Sequence, residues 1–213
     1  MKKEMKKTLF IFLTGFVFSI NAQVNINDVV RAGKQISQGT DYTLDKKWFS
    51  FAELEFLIPK QVRYNHNFKN NSQPKYSEDE LKKGVSFGLT YSINYPIFNK
   101  LSLGAVGSFD YQTAYNITTL KFGGKMNYHF TNYENATLYL QVLHNTISNK
   151  AKSEMGNVRL GLLFPIEELG ENNVTLNFFW DHDFYRLNKP LISNEIPNSI
   201  TFTSFGVSIG IQF

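Results

Sequence analysis

Three polar groupings in this chain have residue types and spacing suited to chemistry. His144 is followed at steps of two by Thr146 and Ser148. Residues two apart on an extended strand share a face, so the imidazole would stand beside a hydroxyl that it could activate as a nucleophile. Asp181, His182 and Asp183 offer ligands of the kind a divalent cation takes, but they have no second ligand group at a recognisable spacing, and a solvated strand end is the plainer reading. The third grouping is dispersed: Glu53, Glu55, Asp110, Lys121, Lys125, Arg159 and Asp181 each interrupt an otherwise alternating segment, always on its small and polar parity.

Those alternating segments must position everything else. From Trp48 onward the hydrophobic period is two, the repeat of a strand whose successive side chains point to opposite faces. Val85, Phe87, Leu89, Tyr91, Ile93 and Tyr95 alternate with Ser86, Gly88, Thr90, Ser92 and Asn94. The same device recurs over 48–58, 101–111, 120–130, 136–143, 157–164, 174–181 and 205–213, which makes eight strands. The connections after the second, fourth and sixth strands are compact, although 165–173 is longer. The segments 59–83 and 182–199 read as long polar loops. Compact turns at one end and long loops at the other describe an all-β, eight-stranded antiparallel up-and-down transmembrane β-barrel.

Size and charge decide which face of the barrel is the lumen. Eight strands enclose a space only just wide enough for side chains, so Gly and Ser fit inside and the bulky parity does not. An ionised group facing the bilayer midplane costs about 2–4 kcal/mol, and every charge in the strand centres falls on the Gly/Ser parity. The four acids and three bases of the third grouping then form a paired network that plugs the lumen, because an unpaired charge there would be costly. With alternating strand directions, Trp48, Tyr95, Tyr128, Phe130, Phe164 and Phe213 gather at one edge. Phe56, Phe109, Tyr111 and Trp180 gather at the other, as two aromatic girdles. His144 then lies near a rim, where an interfacial polar residue is the ordinary reading.

The chain start has the order of an export signal: Lys2, Lys3, Lys6 and Lys7, an apolar run from Leu9 to Ile20, then the small Ala22. Residues 1–22 are the expected signal peptide, and 23–47 a polar periplasmic segment that admits a short helix over 27–36; 48–213 form the barrel. The four signal lysines less Glu4 supply three of the four net positive charges, so the mature chain is nearly neutral and a nucleic-acid role is set aside. The absence of cysteine excludes disulfides and thiolate metal sites, and no metal or other cofactor is expected. Aromatic residues make up 15% of the chain while mean hydropathy is only −0.26, so the apolar character is distributed by alternation.

In this pattern the chain resembles small bacterial outer-membrane β-barrels of the outer-membrane protein A and X type, over 48–213. The signal ending Asn21-Ala22-Gln23 and the Asn-, Lys- and Phe-rich usage resemble the Bacteroidota. Phe205, Val207, Ile209, Ile211 and the terminal Phe213 resemble the signal read by the barrel assembly machinery. The resemblance implies the cell outer membrane, with both barrel ends periplasmic. It also implies a monomer among outer-membrane lipids and lipopolysaccharide, with the assembly machinery and periplasmic chaperones as partners during biogenesis. A structural or interaction role without catalysis is the expectation; a small-solute channel and a lipid-modifying enzyme are the alternatives. The second draws on a likeness of His144 to Asn149 to the His-x-Ser-Asn segment of lipid A deacylases, from which Thr146 departs by standing where their serine would be.

Overall fold

The computed structural model describes residues 47–68, 76–130, 136–170, 172–191 and 195–213. The expected signal at 1–22 and the polar segment up to residue 46 lie outside the described residues. The strands in chain order are β1 (Phe49–Phe68), β2 (Tyr76–Glu80), β3 (Ser86–Phe98), β4 (Leu101–Gln112), β5 (Ile117–His129), β6 (Thr137–Ser148), β7 (Glu154–Leu169), β8 (Asn172–Arg186) and β9 (Glu195–Gln212). Every neighbouring pair is antiparallel, and β9 returns to pair with β1, so the sheet closes and no long edge is left open. The short β2 and β3 are two parts of one stave. Glu80 faces Arg63 and Ser86 faces Leu57, six residues further along on both sides, so the register on β1 is unbroken. The barrel therefore has eight staves.

The strands run well past the ends expected from sequence. The described parts of 59–83 and 182–199 are largely strand, and within 165–173 β7 runs to Leu169 and β8 starts at Asn172, with Gly170 at φ +66° between them. The cause lies partly in proline, which ordinarily marks the end of a strand because it cannot donate to the ladder. Here Pro59, Pro96 and Pro165 each sit at a register shift, where a bulge absorbs the missing donor and the strand continues.

The bulge after Pro59 has a larger consequence. Lys60 is the extra residue: Pro59 pairs with Ser204 and Gln61 with Thr203. Below it the inward residues of β1 are Phe49, Phe51, Glu53, Glu55 and Leu57; above it they are Val62, Tyr64 and His66. With the lower end defined by the turns at Asn99 and Gly170, Val62 and Tyr64 join Ile117, Ala151, Tyr185, Leu187, Ile200 and Phe202 as an apolar core inside the upper end. Its exterior carries Arg63, Thr201 and Arg186. Lower down the polarity is opposite, with Ser, Thr, Asn and ionic groups buried and large apolar groups such as Leu54 (63% exposed), Phe205 (57%) and Leu89 (53%) facing out.

Between the two zones, Tyr139, Gly161, Phe179, Gly206 and Leu57 are direct neighbours on β6, β7, β8, β9 and β1 and all face inward. Large groups alternate with glycine, so each ring lies over the bare backbone beside it, which is how small barrels fill their interior. A Cβ at Gly206 would collide with the Phe179 ring, and one at Gly161 would come within 2.6 Å of Tyr139. The outward Gly124 would meet nothing closer than the Gly104 carbonyl at 3.7 Å. Gly206→Ala should therefore cost about 1–3 kcal/mol, and Gly124→Ala well under that. Urea unfolding of the two variants in lipid vesicles checks the contrast, and equal midpoints would contradict the packing described.

Candidate functional site

The chemistry of this barrel is concentrated in its lumen. Strand alternation brings Glu53 and Glu55 from β1, Asp110 from β4, Lys121 and Lys125 from β5, Arg159 from β7 and Asp181 from β8 to the inner face, all at most 4% exposed. Arg159 bridges two staves: its Nη1 donates to Glu55 Oε1 at 2.5 Å and its Nε to Asp181 Oδ1 at 2.8 Å. The Lys121 ammonium pairs with Asp110 and, at 2.5 Å, with Asp183. Lys125 stands 3.6 Å from Glu53. The same cations lie over aromatic faces, Lys125 at 4.2 Å from the Tyr139 centroid and Arg159 at 4.1 Å from that of Phe179.

Neutral donors complete the network. Asn157 Nδ2 donates to Asp181 at 3.0 Å and to Asp183 at 2.9 Å, and Asn177 donates to Glu53 at 3.1 Å and to the Tyr139 hydroxyl at 2.8 Å. Ser208 supports Glu53 and Ser108 supports Asp110, each at 2.9 Å. At the lower end the His129 imidazole is held between hydroxyls, Ser102 Oγ at 2.9 Å from Nε2 and Thr137 Oγ1 at 3.0 Å from Nδ1. Either tautomer is satisfied there, because one hydroxyl can accept while the other donates. Asn127 extends the chain by donating to Ser102 and Asn94. Ser102, Asn94, Asn127 and His129 are fully buried, so this relay is closed to solvent. Above the ionic layer Tyr64 and Tyr185 are fully buried in the apolar core, and the Tyr115 hydroxyl donates to the Lys82 carbonyl at 2.7 Å.

Sequence reading missed Asp183, the His129 relay and the aromatic cap. Asp183 has the parity of Asp181, but the strand expected over 174–181 stops short of it. That also corrects the cation grouping: Asp181 and Asp183 point into the lumen, whereas His182 points outward, stacked on Trp180 and 3.1 Å from Thr203 Oγ1. Among the described residues the lumen thus holds five carboxylates against three cations from Lys and Arg, in place of the four and three expected.

The grouping at His144 does not form a dyad. The Thr146 hydroxyl donates to the His144 carbonyl oxygen at 3.3 Å, and Ser148 Oγ accepts from the backbone amides of Lys150 and Ala151. Phe205, Val207, Ile209, Ile211 and Phe213 line the outer face of the closing strand, and the Phe213 backbone exchanges hydrogen bonds of 3.0 and 3.1 Å with Ser50.

No family model matches the chain, and no curated protein matches it. Among solved structures it is similar to the outer membrane protein AlkL (10% identity, TM-score 0.46, covering 83% of this chain and 92% of that one). It is also similar to the outer membrane protein OprG from Pseudomonas aeruginosa (14%, 0.47, covering 82% and 98%). A third likeness is to Neisserial surface protein A (12%, 0.41, covering 76% and 96%). With polar groups inside and apolar groups outside over its lower part, this fold is a closed eight-stranded antiparallel barrel.

Removing Arg159 leaves Glu55 and Asp181 buried without their cation. Arg159→Met should cost about 3–5 kcal/mol, as breaking a buried pair does, and adding Glu55→Gln and Asp181→Asn should restore most of the loss. Unfolding midpoints of the single and triple variants in vesicles check this; a triple variant no better than the single one would contradict the pairing.

Proposed function

We propose that this protein is an integral outer-membrane barrel with a structural or interaction role, and that its lumen is closed to solute flow. Buried apolar surface is the main driving force of folding in water, yet here bulky apolar groups cover the lower exterior. A hydrocarbon solvent removes that contradiction. Reversal of polarity at the upper end supports a water-facing cap there. Eight staves place both barrel ends on the side of the compact turns, taken as periplasmic, and the apolar outward face of β9 is suited to recognition by the assembly machinery and chaperones. Lipids and lipopolysaccharide surround a monomer in this reading.

The observation that carries the closed lumen is the ionic layer across the bore together with the core of Tyr64, Tyr185 and Phe202 above it. The Thr146 hydroxyl is turned to the His144 carbonyl and the His129 relay is buried, so neither grouping argues for the enzyme reading. Reconstituted into a planar bilayer, the full chain should give no steady conductance. Steady large conductance would overturn the proposal.

A further inference from the structure

We propose that the outer wall carries a site for one phosphorylated glycolipid of the outer leaflet, with an acyl chain in a groove across β1, β9, β8, β7 and β6 and a phosphate at Lys60. This rests on the membrane placement proposed above. The groove is an apolar cavity of about 430 Å³. Ile58, Phe205, Trp180 and Leu160, direct ladder neighbours on four staves, form its upper wall. Gly206 and Gly161 contribute backbone without a side chain, and the groove ends at Leu138. Strands lie about 4.8 Å apart, so five staves give it a length of about 19 Å, the scale of a fatty-acyl chain.

The polarity above the groove determines the rest of the ligand. The next outward row is Gln61, Thr203 and His182, mutual ladder neighbours, with Thr203 and His182 hydrogen-bonded. Beside Gln61 stands Lys60, the extra residue of the bulge, which places a cation on the outward face two residues after groove-lining Ile58. Among the described residues Lys60 has no ion-pair partner. Lys82 and Lys83 lie nearby along the same stave pair, and Lys83 is paired with Glu80 at 3.1 Å. A groove fitted to an acyl chain, with the Lys60 ammonium at its polar border, is complementary to a lipid bearing phosphate on its headgroup.

The test uses the folded full chain in phosphatidylcholine vesicles, extracted and examined by native mass spectrometry after exposure to bis-phosphorylated lipid A. Parallel arms use the dephosphorylated lipid and inorganic phosphate. Lys60→Glu removes the cation, and Leu160→Trp fills the groove from an outward position. One lipid A per barrel is expected, with about tenfold weaker retention in each variant and for the dephosphorylated lipid. Inorganic phosphate at millimolar concentration should not displace it. Equal retention by all three proteins, equal retention of both lipids, or displacement by inorganic phosphate would each overturn the site. Wild-type chain that fails to enter the vesicles would instead overturn the membrane reading.

Discussion

A charge enclosed in a narrow cylinder must find its counter-charge within that cylinder, and this constraint organises the barrel. Lys121 on β5 reaches Asp183 on β8, Arg159 on β7 reaches Glu55 on β1, and Lys125 on β5 stands by Glu53 on β1. Each link joins staves that are not ladder neighbours, so the pairs brace the barrel across its bore. A slip of one residue in any of these strands would turn its ion toward the exterior and leave a partner alone. The fixed registers and the apolar outer wall both follow from the same partition, and so does the proposed closure of the lumen.

The partition does not hold along the whole length. Above Ile58 on β1, Phe205 on β9 and Asp183 on β8, the exterior carries Arg63, Thr201 and Arg186 while Val62, Tyr64, Tyr185, Ile200 and Phe202 gather in the interior. β8 and β9 make the change with unbroken parity, through the order of their residues: Tyr185, Ile200 and Phe202 face inward as Asp181 and Ser204 do lower down. β1 makes it by inserting Lys60. The same bulge that turns Val62 and Tyr64 inward adds a lysine to the outer face, so one irregularity serves both the apolar cap and the proposed lipid contact.

This division also explains what could be read from the sequence. Strand number, parity and the inner placement of Glu53, Glu55, Asp110, Lys121, Lys125, Arg159 and Asp181 follow from alternation alone, because a period of two assigns every side chain to a face. Strand ends were less legible. Above the boundary the expected pattern of apolar groups outside reverses, so 182–199 reads as a polar loop and Asp183 falls beyond the expected strand end. Proline misled in the same way, since a bulge that tolerates Pro59 or Pro165 has no signature in residue type. The Ser102, His129 and Thr137 contact joins β4, β5 and β6, and no local spacing announces it.

The most direct test of the inside-out partition is single-cysteine scanning of the outward face of β1 and β9 in vesicles, for which the absence of native cysteine gives a clean background. With a water-soluble, membrane-impermeant thiol reagent, cysteines replacing Leu54, Ile58 and Val207 should stay unreactive while those replacing Arg63 and Thr201 react readily. Uniform reactivity along both strands would show that water bathes the whole exterior and would contradict the account.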